Sequence, residues 1–509
     1  MIILDFGGQY THLIARRCRE LRVYSEIFPA DADARAVLES GKARAIILSG
    51  GPRSVYEEGA PLLDPKILDM GLPVLGICYG HQLIGAMLGG DVRRGEKAEY
   101  GRTNVLRVDE SELLKGLPER FGVWMSHGDA VIRSPPGFRV TAKSESNIVA
   151  AMESPSAKIF SVQFHPEVYH TEHGKLIINN FLRGIARIEE EWVATDRIDE
   201  MIREVQTTVG DEGRVLCAVS GGIDSLTTAA IVHRAVGDRL YVVFIDHGLL
   251  RKNERDEVLR TLKRLGVSNV IHVDASEEFL NSLKGVKDAE AKRQVIGRVF
   301  IEVLERTART IEGCHFLAQG TIYPDRVESG VTGRYTSKIK SHHNVGGLPE
   351  RLNLRLVEPL RDLYKDEVRA VARKLGIPED IVNRHPFPGP GLAVRIVGEV
   401  TEDRLRICRE ANAIVEEEVK REGIYNELWQ AFAVVIDARW VGVKGDAREE
   451  GYIVIIRAVT SEDGMTADAY PMRLETLYRI NKRITDEVEG VVMVSYALTS
   501  KPPSTIEAC

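Results

Sequence analysis

Val215-Leu-Cys-Ala-Val-Ser220-Gly221-Gly222-Ile223-Asp224-Ser225 decides the reading of this chain. It predicts a buried strand running into a glycine turn and then a helix, Leu226 to Val236. A helix start leaves backbone N–H groups unpaired and carries positive partial charge, so a phosphate can bind there. Gly221 and Gly222 let the backbone approach an anion closely, and Ser220 and Ser225 add hydroxyl donors. The turn lacks the Gly-Lys-Ser/Thr ending of a Walker A motif and is not GxGxxG. A plain glycine turn is the bland alternative. The strand–turn–helix context that a phosphate loop needs is nevertheless complete.

A second strand–turn–helix lies upstream. Leu72-Pro-Val-Leu-Gly-Ile77 is a short apolar strand, followed by Cys78 and then Tyr79-Gly80-His81-Gln82, which opens an apolar helix. Glycines on both sides permit the sharp turn of a nucleophile elbow, with Cys in place of Ser. A thiol at a helix N-terminus ionises more easily, although most free cysteines are inert and buried. Ile159-Phe-Ser-Val-Gln-Phe164 is another strand, ending in His165-Pro166-Glu167. His165 can take the thiol proton and return it to a leaving amine, and Glu167 can orient the ring. Ser49-Gly50-Gly51-Pro52 follows the strand Ala45–Leu48, and Gly50 and Gly51 offer N–H groups for an oxyanion hole. His127 is a rival base without the strand-end His-Pro-Glu arrangement. The order of Gly-Gly-Pro loop, Cys elbow and His-Pro-Glu resembles the class I glutamine amidotransferases.

The chain has 509 residues, which suggests about three domains. Apolar residues make up 44%, enough for several cores. The formal net charge is −7, so no overall basic field points to nucleic acid. No apolar run is long enough to span a membrane, and Met1-Ile-Ile-Leu4 does not read as a signal peptide. The six cysteines, Cys18, Cys78, Cys217, Cys314, Cys408 and Cys509, are scattered without a CxxC. Neither a disulfide framework nor a zinc ribbon is indicated, so a cytoplasmic protein is expected.

Short strands alternate with helices over residues 1–185, at Ile2–Leu4, Val23–Phe28, Ala45–Leu48, Val74–Ile77, Val105–Val108 and Ile159–Phe164, which predicts a mostly parallel α/β sheet. A second α/β unit follows, with a helix over Thr195–Thr208 and strands at Leu240–Ile245, Val270–Val273 and Phe316–Ala318. Residues 321–350 form a basic, glycine-rich loop suited to an anionic ligand, with plain surface as its bland alternative. His385-Pro386-Phe-Pro388-Gly-Pro390-Gly391 cannot be helix interior and marks a boundary. Beyond it the pattern is β-α-β-β-α-β, with strands at Leu392–Val397, Ala431–Arg439, Tyr452–Val459 and Val491–Leu498. The expected fold class is therefore α/β: two parallel-sheet α/β domains and a small α+β domain, at 1–188, 189–384 and 385–509.

The Ser220–Ser225 turn resembles the pyrophosphate loop of N-type ATP pyrophosphatases, which split ATP to AMP and pyrophosphate. The whole chain, from Leu4-Asp5-Phe6-Gly7-Gly8-Gln9-Tyr10 to Lys501-Pro-Pro-Ser-Thr-Ile-Glu507, resembles the glutamine-hydrolysing GMP synthases. Gly320–Asp325, Lys340–Gly347, Leu360–Val368 and His385–Gly391 carry the same likeness. The resemblance implies a Cys78–His165–Glu167 glutaminase with an oxyanion hole at Gly50 and Gly51. It implies that Ser220, Gly221, Gly222, Ile223, Asp224, Ser225 and Leu226 hold ATP with Mg²⁺, whose ligands the sequence does not assign. It also implies XMP contacts from Lys501, Thr505, Ile506 and Glu507, and a homodimer formed through the last domain. Four positions depart from the family pattern: His81 for Met, Leu226 for Ser, Met493 for Arg, and Ala508-Cys509 after Glu507 in place of Trp-Glu. The changes near the tail bear on XMP affinity more than on reaction type.

Elementary chemistry agrees with the resemblance. Replacing a carbonyl oxygen by an amine needs a better leaving group than hydroxide, and adenylation supplies one. Free ammonia is mostly protonated in water, so generating it in a closed site protects the nucleophile. Rival readings are an adenylating amidotransferase with another acceptor, a tRNA-modifying sulfur transferase, and a non-catalytic nucleotide-binding relative. The sulfur transferase would want paired redox cysteines and a basic face, and neither is seen.

Overall fold

The structure is a computed structural model that describes residues 1–41, 43–329, 354–444, 447–461, 464 and 466–508, without the side chains of 96–98, 328–329 and 444. The chain divides into two compact units, Met1–Val193 with Pro324–Ser341, and Ala194–Tyr323 with His342–Cys509.

In the first unit, nine strands form one sheet: β1 (Ile2–Asp5), β2 (Glu26–Pro29), β3 (Ile46–Leu48), β4 (Val74–Ile77), β5 (Asp91–Arg107), β6 (Arg120–Arg133), β7 (Arg139–Ser144), β8 (Val149–Ser154) and β9 (Ile159–Val162). Their order is β2-β1-β3-β4-β9-β8-β7-β5-β6. The first five are mutually parallel. The remaining four add on antiparallel, an extension the sequence pattern did not reveal. All residues of β3, β4 and β9 are buried, which accounts for their apolar character, with Ser161 of β9 the one polar side chain. Helix α1 (Tyr79–Met87) follows β4 and covers the sheet with Leu83 and Ile84.

The second unit holds two sheets. The first comprises β10 (Arg214–Ala218), β11 (Leu240–Asp246), β12 (Asn269–Asp274), β13 (Cys314–Ala318) and β14 (Arg355–Val357), all parallel, in the order β12-β11-β10-β13-β14. The strand order reverses between β10 and β13, the point at which open α/β sheets bind ligands beyond the strand ends. Helices α2 (Ile223–Val236), α3 (Ala289–Ala308) and α4 (Lys365–Leu375) belong to this part. The helix expected over Thr195–Thr208 is a 3₁₀ turn at Ala194–Arg197 followed by a helix over Ile198–Val209.

The second sheet of this unit is β15 (Ile396–Val397), β16 (Gln430–Lys444), β17 (Ala447–Thr460), β18 (Asp468–Ala469) and β19 (Val491–Tyr496), with helices α5 (Glu402–Arg421) and α6 (Leu474–Glu487). The β-α-β-β-α-β order holds, with β18 as a short addition. Residues Leu392–Arg395, read as strand, form a 3₁₀ turn instead. One apolar core runs from Leu216 and Val243 through Ile296 and Leu392 to Val454 and Val491, joining both sheets. Lys292, fully buried on α3, donates from Nζ to the carbonyls of Ala393 (3.2 Å) and Ile396 (2.5 Å), and so pins the end of the proline loop. Among the described residues no helix is long and apolar enough to cross a membrane.

Candidate functional site

Cys78 sits between β4 and α1 with φ 53° and ψ −102°, a sparsely populated conformation for a residue with a side chain. Such strain costs about 1–3 kcal/mol and persists only where packing over-determines it. Packing does so here. A Cβ on Gly76 would lie 2.6 Å from the Gly80 carbonyl oxygen, and one on Gly80 would lie 2.5 Å from that of Leu48. The two glycines let α1 press onto β3 and β4, and the turn between them has to present Cys78. Its thiol is 3.6 Å from the Ser126 carbonyl oxygen, on β6.

His165 leaves the end of β9, with its N–H on the Trp124 carbonyl at 3.0 Å. Its Nδ1 is 2.7 Å from Glu167 Oε1, and both side chains are buried. Burial alone would lower the pKa of His165, but the charges of Glu167 and Cys78, with hydrogen bonds to both, hold it well above the usual value. A Cβ on Gly50 would meet His165 Cε1 at 3.0 Å and Cys78 Cβ at 3.6 Å, so the loop after β3 lies against both side chains. Gly51 packs on the Phe6 carbonyl and the Tyr79 ring. The structure thus brings together Cys78, His165, Glu167 and Gly50. Tyr10 meets His165 edge-on at 5.1 Å, a contact no sequence pattern announced.

The rival base is occupied. His127 lies within β6, with Nε2 3.1 Å from Glu99 Oε2 and Nδ1 2.9 Å from the Asp129 carbonyl. Glu99 also accepts from Ser144 at 2.8 Å. His81 is fully buried on α1, 2.8 Å from Ser161 Oγ and 3.1 Å from the Val149 carbonyl. Burial pushes its pKa down to about 3, so a neutral ring fills this core position.

In the second unit β10 ends at the switch point, and Gly221 adopts φ 84°. Gly222 is the N-cap of α2 and carries no side chain to satisfy the first-turn N–H groups. Ser225 Oγ donates to the Gly222 carbonyl (2.9 Å) and accepts from Ser220 N–H (3.3 Å), which folds the turn back on itself. Gly320, just beyond β13, comes so close that a Cβ would be 3.2 Å from Ser225 N. Ile223 and Leu226 are buried. Asp224 pairs through Oδ2 with Lys365 Nζ at 2.5 Å, at the start of α4. Lys365 lies in the Leu360–Val368 segment, and its spacing from Asp224 gives no sign of this pairing. Most of the basic loop, including Lys338–Gly347, lies outside the described residues.

The tail residues do not fray. Lys501 Nζ donates to the Gly464 carbonyl (2.7 Å), Thr505 Oγ1 to the Glu507 carbonyl (2.6 Å), and Ile506 is buried. Glu507 pairs with Arg395, a partner that no sequence pattern announces.

An α/β chain with a strained cysteine elbow beside a buried His–Glu pair has the make-up of a glutamine amidotransferase. Residues 2–185 match the family model for class-I glutamine amidotransferase, and residues 417–508 match the model for the GMP synthase C terminal domain. Proteins named GMP synthase [glutamine-hydrolyzing] from Symbiobacterium thermophilum and Aquifex aeolicus are each 53% identical to this chain. Each alignment covers 100% of this chain, and 98% and 99% of the respective relative. One from Pyrobaculum aerophilum is 52% identical, over 100% of this chain and 99% of its own. The chain belongs to the glutamine-hydrolysing GMP synthase family.

Proposed function

We propose that the chain converts XMP, ATP, glutamine and water to GMP, AMP, pyrophosphate and glutamate. The observation that carries the first half is the 2.7 Å His165–Glu167 pair beside a left-handed Cys78. Glu167 engages Nδ1, so proton exchange with the thiol falls to Nε2. The Cys78 thiolate attacks the side-chain carbonyl of glutamine, and the oxyanion forms against Gly50 and Gly51. The raised pKa keeps the ring protonated once it has taken the thiol proton, so that proton is at hand for the departing amine. Water then cleaves the thioester and releases glutamate.

The second half belongs to the turn at the switch point. Ser220, Gly221, Gly222, Ile223, Asp224, Ser225 and Leu226 form the strand end and helix start that receive the ATP phosphates. The xanthine 2-oxygen attacks the α-phosphorus and pyrophosphate leaves. Ammonia then replaces AMP at the same carbon. Lys501, Thr505, Ile506 and Glu507 are the proposed XMP contacts.

Magnesium is part of the proposal, and the residues fit it. Asp224 Oδ1 is buried without a hydrogen-bond partner among the described side chains, which hold no cluster of three metal-binding groups. Mg²⁺ typically takes one or two carboxylates plus substrate phosphates, so Asp224 would hold it. When bound, the ion supplies neutralising charge to the triphosphate.

We also propose an amidotransferase domain over 1–188, a synthetase domain over 189–384 and a dimerisation domain over 385–509. Exposed Trp440, Val441 and Val443 on the β16–β17 hairpin support a homodimer. Free thiols at Cys18, Cys78, Cys217, Cys314 and Cys408 support a reducing, cytoplasmic setting. The deciding experiment is Cys78→Ala. GMP formation from glutamine should vanish while formation from ammonia persists. Equal loss of both would refute the division of labour, and turnover of another acceptor in place of XMP would refute the substrate.

A further inference from the structure

The C-terminal tail is held by two buried arginines that do different things. After β19 the tail forms a backbone bridge between Lys501 and Ala467. Arg457, on β17 and 5% exposed, donates to three tail carbonyls: Ile506 at 3.0 Å, Thr499 at 2.9 Å and Thr505 at 2.8 Å. These bonds fix the path of the main chain. Arg395, also 5% exposed, ignores the main chain and grips one side chain. Its Nε is 3.1 Å from Glu507 Oε2 and its Nη2 is 2.9 Å from Oε1, a fork on both oxygens. Nη1 is 3.0 Å from Asn412 Oδ1, and Asn412 is anchored in turn to the Cys408 and Ala433 carbonyls. The guanidinium packs over Phe432 at 4.2 Å and Phe387 at 5.0 Å, so its plane is fixed. Gln430 Nε2 adds a third donor to Glu507 Oε1 at 3.0 Å, and also meets the Pro386 carbonyl at 2.7 Å.

Burying a guanidinium is costly unless its donors are used, and here they are used on a carboxylate near the chain end. Tethering does not require this, because Arg457 already holds the tail. What Arg395 adds is the orientation of a side chain that would otherwise sample several rotamers. A carboxylate offers about four acceptor positions, and Arg395 with Gln430 fills three, leaving one for an N–H or O–H of a ligand.

We propose that Arg395 is a positioning residue: it aims the Glu507 carboxylate before XMP arrives, so the tail meets the nucleotide as a preformed surface. Such preorganisation raises affinity by removing ordering costs at binding. The inference rests on the reading that Glu507 contacts XMP, and a double-mutant cycle separates the two. XMP affinity of the full-length protein is measured calorimetrically for wild type, Glu507→Gln, Arg395→Met and the pair. Losing a charge-assisted contact should weaken XMP binding roughly 10- to 100-fold in each single variant. Affinity should fall more than turnover at saturating XMP.

The double variant should be no weaker than Glu507→Gln alone, because Arg395 acts through Glu507. Arg395→Lys should fail to restore binding, since an ammonium has neither the fork nor the flat face. Multiplying losses in the double variant would overturn the inference, as would normal XMP binding by Arg395→Met when Glu507→Gln is impaired. Wild-type affinity in Glu507→Gln would instead remove the tail reading itself, and this inference with it. If Arg395→Met does not fold, as judged by circular dichroism, Arg395→Lys enters the same cycle in its place.

Discussion

Acid should destabilise the first unit through His81, and replacing that residue should remove the effect. The ring is fully buried and its pKa is pushed by burial from 6.5 to about 3. The folded pKa is thus below the unfolded one. Between those two values the unfolded chain binds a proton that the folded chain refuses, so stability falls as pH falls. The loss begins near pH 6.5 and grows toward pH 3. At pH 5 the unfolded ring is almost wholly protonated and the folded ring almost wholly neutral, which corresponds to a loss of about 2 kcal/mol relative to pH 7.5. That figure barely changes if the folded value is one unit higher. His81→Met, an apolar side chain of similar length, should lose about 2 kcal/mol less over the same interval. Any baseline change from stranding the Ser161 hydroxyl and the Val149 carbonyl cancels in this difference. So does the titration of His12, whose pKa burial also lowers, because both proteins contain it. Urea unfolding at the two pH values, read by pulsed labelling of the buried Cys18 thiol, follows this unit. Equal pH sensitivity in the two proteins would refute the reasoning.

Three further outcomes are expected. His165→Ala should cut glutaminase turnover by ~10²–10⁴-fold and Glu167→Gln by less. Full activity in the His165 variant, with loss in a His127 variant, would transfer the base to His127. Asp224→Ala and Lys365→Met should both suppress XMP-dependent pyrophosphate release, whether the amine comes from glutamine or from ammonia; normal release in both would reduce this turn to a structural one. Sedimentation at micromolar concentration should show a dimer that Trp440→Glu weakens, and a monomeric wild type would remove the dimer.

The strand–turn–helix at Cys78 and the one at Ser220–Ser225 were legible because each is local: a few apolar residues and glycines at fixed spacing. What stayed hidden is non-local. β5 reads as Asp-Val-Arg-Arg-Gly-Glu-Lys-Ala-Glu-Tyr-Gly-Arg, too charged for a strand until β6 pairs with it. The carboxylate partner of His127 is Glu99, from the neighbouring strand rather than from its own segment. Glu507 could be read as a free acceptor because its arginine lies 112 residues upstream. Lys365 reaches Asp224 across 141 residues. Charge pairs of this kind leave no periodicity in the chain.

The shared core of the second unit has a consequence for how the chain can be cut. Leu216 on β10 and Val491 on β19 belong to one apolar mass, and Lys292 ties it to the end of the proline loop. A fragment ending at residue 384 would bare that mass to water and take from the Lys292 ammonium the two carbonyls it serves. The two sheets of the second unit therefore share one cooperative core, and damage to the far sheet is felt at β10 as lost stability rather than lost chemistry.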